Sequence, residues 1–215
     1  MARPKKGYGI TKDGRKYVGV TTPLSYFGNK NGMIYAAWKL GTEGKNYQDE
    51  WYKAANAGTL AHEMIEAYLR HEPEPDHSMH PEDVREKVET AYLGFLKWAD
   101  LVQFQPIHIE ESYYDETLGL AGTPDMSMIQ GRRCIIDWKT SRDIYPENWG
   151  QIAAYKYLWE INNPGQEIEE CYILQLNKET GGFAYHHHPD LSDHWEFYKT
   201  VLKAYRIYKE KIGGK

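Results

Sequence analysis

Apolar side chains in the first hundred residues recur at helical spacing. From Tyr26 to Leu40 aromatic and apolar positions return every three to four residues, until Gly41-Thr42-Glu43-Gly44 interrupts them. A helix from about Tyr47 to Ala57 is expected to stop at Gly58, with Thr59 as the N-cap of a second helix through Arg70. His71–His80 reads as a loop, with Pro73, Pro75 and Pro81 around it. Pro81–Leu101 reads as one amphipathic helix, because Val84, Val88, Ala91, Tyr92, Phe95 and Trp98 keep the 3.6 period. The texture then changes. Ile107–Tyr114, Ala121–Ile129 and Cys134–Thr140 are short, rich in branched or aromatic residues, and separated by turn residues, which predicts three strands. Glu147–Ile161 is predicted helical, Glu170–Asn177 and Phe183–His188 are predicted strands, and Leu191–Ile212 is a closing helix. Residues 1–22, basic and Gly-rich, read as an extended arm that ends in a short strand, Tyr17–Thr21. The order describes an α/β protein with one sheet under helical cover. It is expected to form a single domain over 1–215, with the arm at 1–22, a mainly helical part at 23–101 and the sheet core at 102–215.

Composition narrows the class. With 215 residues, 41% hydrophobic and 27% charged, the chain is neither a disordered tail nor a coiled coil. It is long enough to fold without a disulfide or metal staple. No apolar run approaches the roughly 18–20 residues that span a bilayer, and MARPKKGYGI lacks the apolar stretch of a secretory signal. The expectation is a cytoplasmic protein with no membrane partner. Cys134 and Cys171, the two cysteines, read as small core residues. The net charge of −5 argues against a protein that coats nucleic acid over its whole surface, so any such partner must meet a local basic patch.

The segment richest in chemistry is Gly122-Thr123-Pro124-Asp125 followed by Cys134-Ile135-Ile136-Asp137-Trp138-Lys139-Thr140-Ser141. An acid two residues before a lysine is weak by itself; chance supplies two or three in such a composition, and the chain holds two. The other, Glu43-Gly44-Lys45, lies in a glycine-rich loop with no strand before it. Around Asp137 the context discriminates. Gln130-Gly131-Arg132-Arg133 reads as a turn centred near Gly131, with Asp125 six residues before and Asp137 six after. In an antiparallel hairpin of that register the two acids fall opposite each other, Cβ atoms about 4.5–5.5 Å apart. Strand alternation puts Lys139 on the face of Asp137. Two carboxylates this close repel unless they share a hard divalent cation, and oxygen ligands with retained waters are what Mg²⁺ prefers. The plain alternative is an Asp–Lys ion pair with Asp125 serving a turn, which leaves a buried second carboxylate unexplained.

Pro-Asp, a spacer, and then Asp-x-Lys resembles the PD-(D/E)XK nuclease superfamily, closest to its RecB-like branch, which includes the mitochondrial genome maintenance exonuclease. Gln151 and Tyr155 match that branch's Gln-x-x-x-Tyr motif. Gly58-Thr59-Leu60-Ala61-His62 resembles its Gly-x-x-x-His, and Thr21-Thr22-Pro23-Leu24 its Thr-Thr-x-Leu. The resemblance covers about Thr21 to Leu176 and implies a restriction-endonuclease-like core, a central mixed sheet flanked by helices with an N-terminal helical segment. It implies a Mg²⁺- or Mn²⁺-dependent DNA nuclease, an exonuclease on single strands or free ends, with Asp125, Asp137, Lys139, Gln151 and Tyr155 as catalytic residues. Metal ligands would be Asp125, Asp137, the Trp138 carbonyl, His62 and Glu111. Glu111 and Glu110 point opposite ways if both lie on a strand, and the family pattern favours Glu111. Relatives with an iron–sulfur cluster use four cysteines, so no cluster is expected here. Arg132, Arg133, Arg142 and Lys156 are the candidate phosphate track. His62 and Glu66, four apart, read otherwise as a simple helix-face pair. His186-His187-His188 alternate faces if on a strand and suit a solvated strand end better than a chelate. The competing class is a nuclease-like fold kept as a silent DNA-binding or assembly subunit; a hydrolase of small phosphorylated molecules lacks a phosphate-cradling glycine loop.

Overall fold

The computed structural model describes residues 7–28, 31–109 and 111–213. The chain runs β1 (Val18–Gly19), α1 (Thr21–Phe27), α2 (Asn31–Thr42), α3 (Tyr47–Leu69), α4 (Glu82–Val102), β2 (Gln105–His108), β3 (Tyr113–Asp115), β4 (Leu120–Gly122), β5 (Met126–Ile129), β6 (Arg132–Lys139), α5 (Pro146–Asn162), β7 (Glu170–Leu176), β8 (Phe183–His187) and α6 (Ser192–Ile207), with a π-helical turn at Tyr208–Ile212. This is the mixed α/β class. A five-stranded mixed sheet has the order β2-β5-β6-β7-β8, and a three-stranded mixed sheet the order β1-β4-β3. In the larger sheet only β6 and β7 pair in parallel, and α5 supplies the crossover between them. The early part of the predicted basic arm, residues 1–6, lies outside the described residues, as does Glu110.

β6 is the axis of the molecule because both of its faces are buried, and the period-two rule sorts its side chains cleanly. Cys134, Ile136 and Trp138 join Leu174 and Leu176 of β7 in a core with α3 and α4, including Ile65, Phe95 and Trp98. Ile135 and Ile173 enter the opposite core, with Ile152, Leu158 and Trp159 of α5 and Tyr198 and Leu202 of α6. Each such side chain contributes roughly 1.5–3 kcal/mol relative to exposure. Asp137 and Lys139 follow Ile135 on the α5 side, where the apolar stripe gives way to a polar strand end.

Several boundaries differ from the sequence expectation, for identifiable reasons. The period from Tyr26 to Leu40 belongs to two helices, broken around Gly28, whose amide donates to the Leu24 carbonyl as a C-cap. α3 runs straight through Gly58. A Cβ there would stand 3.0 Å from Thr140 Oγ1, so glycine lets the helix approach the end of β6. Thr59 is not an N-cap: its hydroxyl donates back to the Ala55 carbonyl within the helix. The expected strand Ala121–Ile129 is split at Thr123-Pro124-Asp125 into β4 and β5, which belong to different sheets. The hairpin turn is the two-residue Gln130-Gly131, both with positive φ (51° and 79°), and the ladder pairs Ile129 with Arg132 and Met126 with Ile135. Asp125 therefore faces Ile136, whose amide donates to the Asp125 carbonyl at 3.3 Å, and not Asp137; the expected register is one residue out.

Gly122 at the end of β4 is another close approach, since a Cβ would lie 2.7 Å from the Tyr155 ring and 2.8 Å from Val20. Gly122→Ala is expected to cost about 1–3 kcal/mol through overpacking, read as a lower urea midpoint at unchanged slope. An unchanged midpoint would mean the ring moves aside freely.

Candidate active site

The cleft at the C-terminal end of β6 encloses about 420 Å³ between α3 and α5. β6 brings Asp137 and Lys139, α5 brings Gln151 and Tyr155, and the irregular segment before β5 brings Thr123 and Asp125. Because Asp125 precedes β5, its side chain escapes strand alternation and shares the cleft with Asp137 despite the shifted register. Pro124, without an N–H, suits this break in the ladder. α3 contributes Ala55, Gly58, Thr59, His62, Glu63 and Glu66, a stripe at helical spacing opposite its apolar face. Thr21, at the start of α1, closes the lining. α5 begins cleanly, with Pro146 in its first turn and Asn148 Oδ1 accepting from the Tyr145 amide, which fixes where Gln151 falls.

Asp137 is 8% exposed, and its two oxygens differ. Oδ1 accepts from Gln151 Nε2 at 3.0 Å. Oδ2 lies 2.7 Å from Lys139 Nζ, an ion pair by distance, yet it accepts no well-directed hydrogen bond. Gln151 Oε1 accepts from Lys139 Nζ at 3.0 Å, and Gln151 Nε2 also donates to Tyr155 Oη at 3.2 Å. One amide thus braces the acid, the ammonium and the phenol at once. Among the described residues the buried Thr123 hydroxyl also lacks a hydrogen-bond partner. The other buried aspartate is the contrast. Asp115 has both oxygens satisfied, by Tyr157 Oη at 2.6 Å and by the amides of Thr117 and Leu118.

The incompletely hydrogen-bonded Asp137 oxygen shares one cleft with the carboxylates of Asp125 and Glu63 and the imidazole of His62, donor types that a hard divalent cation accepts. Among the described residues no group of three His, Cys, Asp or Glu side chains is placed to hold a metal ion. The protein would supply part of a ligand shell, the partly hydrated binding that Mg²⁺ favours. The Trp138 side chain points to the other face, packed on Phe95 and Trp98, so only its main chain belongs to this end of β6.

The remaining candidates lie elsewhere. Glu111 accepts from Tyr113 Oη and pairs with His108 at 2.8 Å, away from the cleft lining. Burial would raise its carboxyl, but the bonds from His108 and Tyr113 outweigh this and hold it below the ordinary carboxylate range. Arg132 pairs with Glu170, Arg133 donates to the Glu167 carbonyl, and Lys156 pairs with Glu160. Arg132 and Arg133 start β6, and seven residues of strand put that end about 23 Å from Lys139. Arg142 follows Lys139 and stays near this end of the sheet. Glu66 pairs with Arg70 at 2.9 Å. His186, His187 and His188 turn to Gln175, Glu170 and His194 separately. Both cysteines are buried and free, with thiols pushed up by burial to about 11 at Cys134 and about 12 at Cys171. Among the described residues no helix is long and apolar enough to cross a membrane. Glu63 was not singled out by sequence, and Thr123 stood in the Gly122-Thr123-Pro124-Asp125 segment without a role; the helical stripe of small and polar residues on α3 was the available signal for Glu63.

No protein-family model matches the chain, and no curated protein matches it. Its fold is similar to a crystal structure from Eubacterium rectale named "Putative exonuclease", with TM-score 0.56 and 14% identity, over 95% of this chain and 84% of that one. At this identity the likeness is one of fold.

Gln151→Ala is expected to cost about 1–3 kcal/mol of folding stability, because a buried Asp137 oxygen loses its donor. Urea unfolding measures this, and an unchanged stability would remove the bracing role.

Proposed function

We propose that the protein is a Mg²⁺- or Mn²⁺-dependent deoxyribonuclease of the PD-(D/E)XK kind, related to the RecB-like branch, that hydrolyses phosphodiester bonds as an exonuclease on single strands or free ends. The observation that carries this reading is the sharing of one cleft by Asp125, Asp137 and Lys139, with Gln151 bonded to both partners of the Asp–Lys pair. The name of the E. rectale protein points the same way. Asp125, Asp137, the Trp138 carbonyl and His62 would hold the cation. When bound, it would offset the repulsion of the carboxylates and supply Lewis acidity at the phosphoryl group.

The chain's own residues do the rest. Gln151 fixes the Lys139 ammonium, which is then placed to orient the attacking water and to stabilise negative charge growing on a phosphoryl oxygen. The water oxygen forms the new P–O bond as the ester P–O bond breaks. The proton lost by the water is matched by the one gained by the leaving sugar oxygen. Tyr155 holds the Gln151 amide in orientation. No covalent nucleophile is needed.

Asp137→Asn and Lys139→Ala are each expected to lower cutting by about 10²–10³ or more while oligonucleotide binding survives. Time courses on 5′- and 3′-labelled single strands, duplexes and closed circles, with Mg²⁺ and with EDTA, measure this and define the substrate. Cutting by Lys139→Ala at the parent rate would remove the lysine from the mechanism. No metal-dependent cutting by the parent would leave the silent binding subunit as the reading.

A further inference from the structure

A second cleft is lined by the residues that directly follow Lys139 in the chain. Lys139 lines the first, and Thr140, Ser141 and Arg142 line the second, which encloses about 620 Å³ and is closed by Gln175, the Asn177–Thr180 turn and Phe183. It holds two cations, Arg142 and Lys178, neither of which makes an ion pair among the described residues. The neighbouring acid, Glu179, is engaged by Lys87 at 3.3 Å. Lys178 is half-buried, and burial, helped by Lys87, pulls its ammonium below the ordinary lysine value against the attraction of Glu179. A partly desolvated cation with no carboxylate partner is costly unless an anion arrives.

The backbone beneath both cations is pinned. Gln175 sits beside Lys139 in the parallel β6–β7 register, and its Nε2 donates to the Ser141 and Arg142 carbonyls at 3.0 and 2.7 Å. On the other wall Asn177 Oδ1 accepts from the Glu179 and Thr180 amides, closing the turn that carries Lys178. Gly181, with φ +66°, packs that turn against Thr90 of α4. Two cations on fixed turns, with Phe183 exposed at the wall, combine the charge and the aromatic face that single-stranded nucleic acid meets in its grooves.

We propose that this second cleft is a substrate subsite: it takes the phosphodiester backbone of the strand beyond the scissile position, with Arg142 and Lys178 as its phosphate contacts. The inference rests on the nuclease reading: Lys139 of the first cleft and Thr140 of the second are successive residues, so a polymer held at the first is within reach of the second. A small anion would need only the second.

The test is the binding of a fluorescein-labelled single-stranded dT20 oligonucleotide by anisotropy in EDTA, over a series of salt concentrations. Arg142→Gln and Lys178→Gln are each expected to weaken binding several-fold and to reduce the salt slope by about 0.7. The double variant is expected to lose about twice that slope, and Lys178→Arg to restore it. In Mg²⁺, KM should rise while kcat holds. Lys199→Gln, removing a cation paired with Glu196 on α6, should change neither quantity. Parental salt slopes in both single variants, or weaker binding at unchanged slope, would overturn the subsite. Failure of the nuclease reading shows separately, as absence of metal-dependent cutting by the parent.

Discussion

A carboxylate buried beside an apolar strand must be partnered, and the arrangement around Asp137 follows from that requirement. Its strand is buried on both faces, so the acid sits where isolated charge is expensive. The sequence supplies an ammonium two residues on and an amide from the crossover helix, and between them they satisfy one oxygen and neutralise the other without saturating it. Asp115, equally buried, is saturated by a phenol and two amides and ends a strand quietly. The two buried acids thus differ in hydrogen bonding: Asp115 is saturated, and one Asp137 oxygen is not.

The packing serves that strand end. A side chain at position 58 would crowd the Thr140 hydroxyl, and a glycine inside a helix costs about 0.5–1 kcal/mol, so the close approach to Thr140 is what the residue eases. Gly122 does the same on the other side, letting the Tyr155 ring lie against β4 while its hydroxyl meets Gln151. The parallel pairing of β6 with β7 then carries Gln175 alongside Lys139, and through it the backbone of the next loop.

Much of this was legible in the chain. The short run of branched and aromatic residues between turns identified β6, and alternation placed Asp137 and Lys139 together; the family resemblance added Gln151, Tyr155 and His62, and all of these line one cleft with Asp125. The hairpin register was not legible, because Gln130 takes a left-handed conformation that its residue type does not advertise. Asp125 reaches the cleft by a break in the ladder and not by facing Asp137. Arg132 and Arg133 are near Asp137 in sequence but at the far end of an extended strand. Lys178 could not be assigned from sequence, since a parallel crossover brings it there. Glu111 was set apart by His108, a partner three residues away whose bond depends on how the chain leaves β2.

The proposed hydrolysis requires the β6 end and the segment before β5 together to hold a divalent cation. Anomalous diffraction from crystals of the protein soaked in Mn²⁺ tests it most directly. A Mn²⁺ peak is expected between the Asp125 and Asp137 carboxylates, and it should vanish in Asp137→Asn. A fully soaked crystal with no peak there, or with its ion held by other residues, would contradict it.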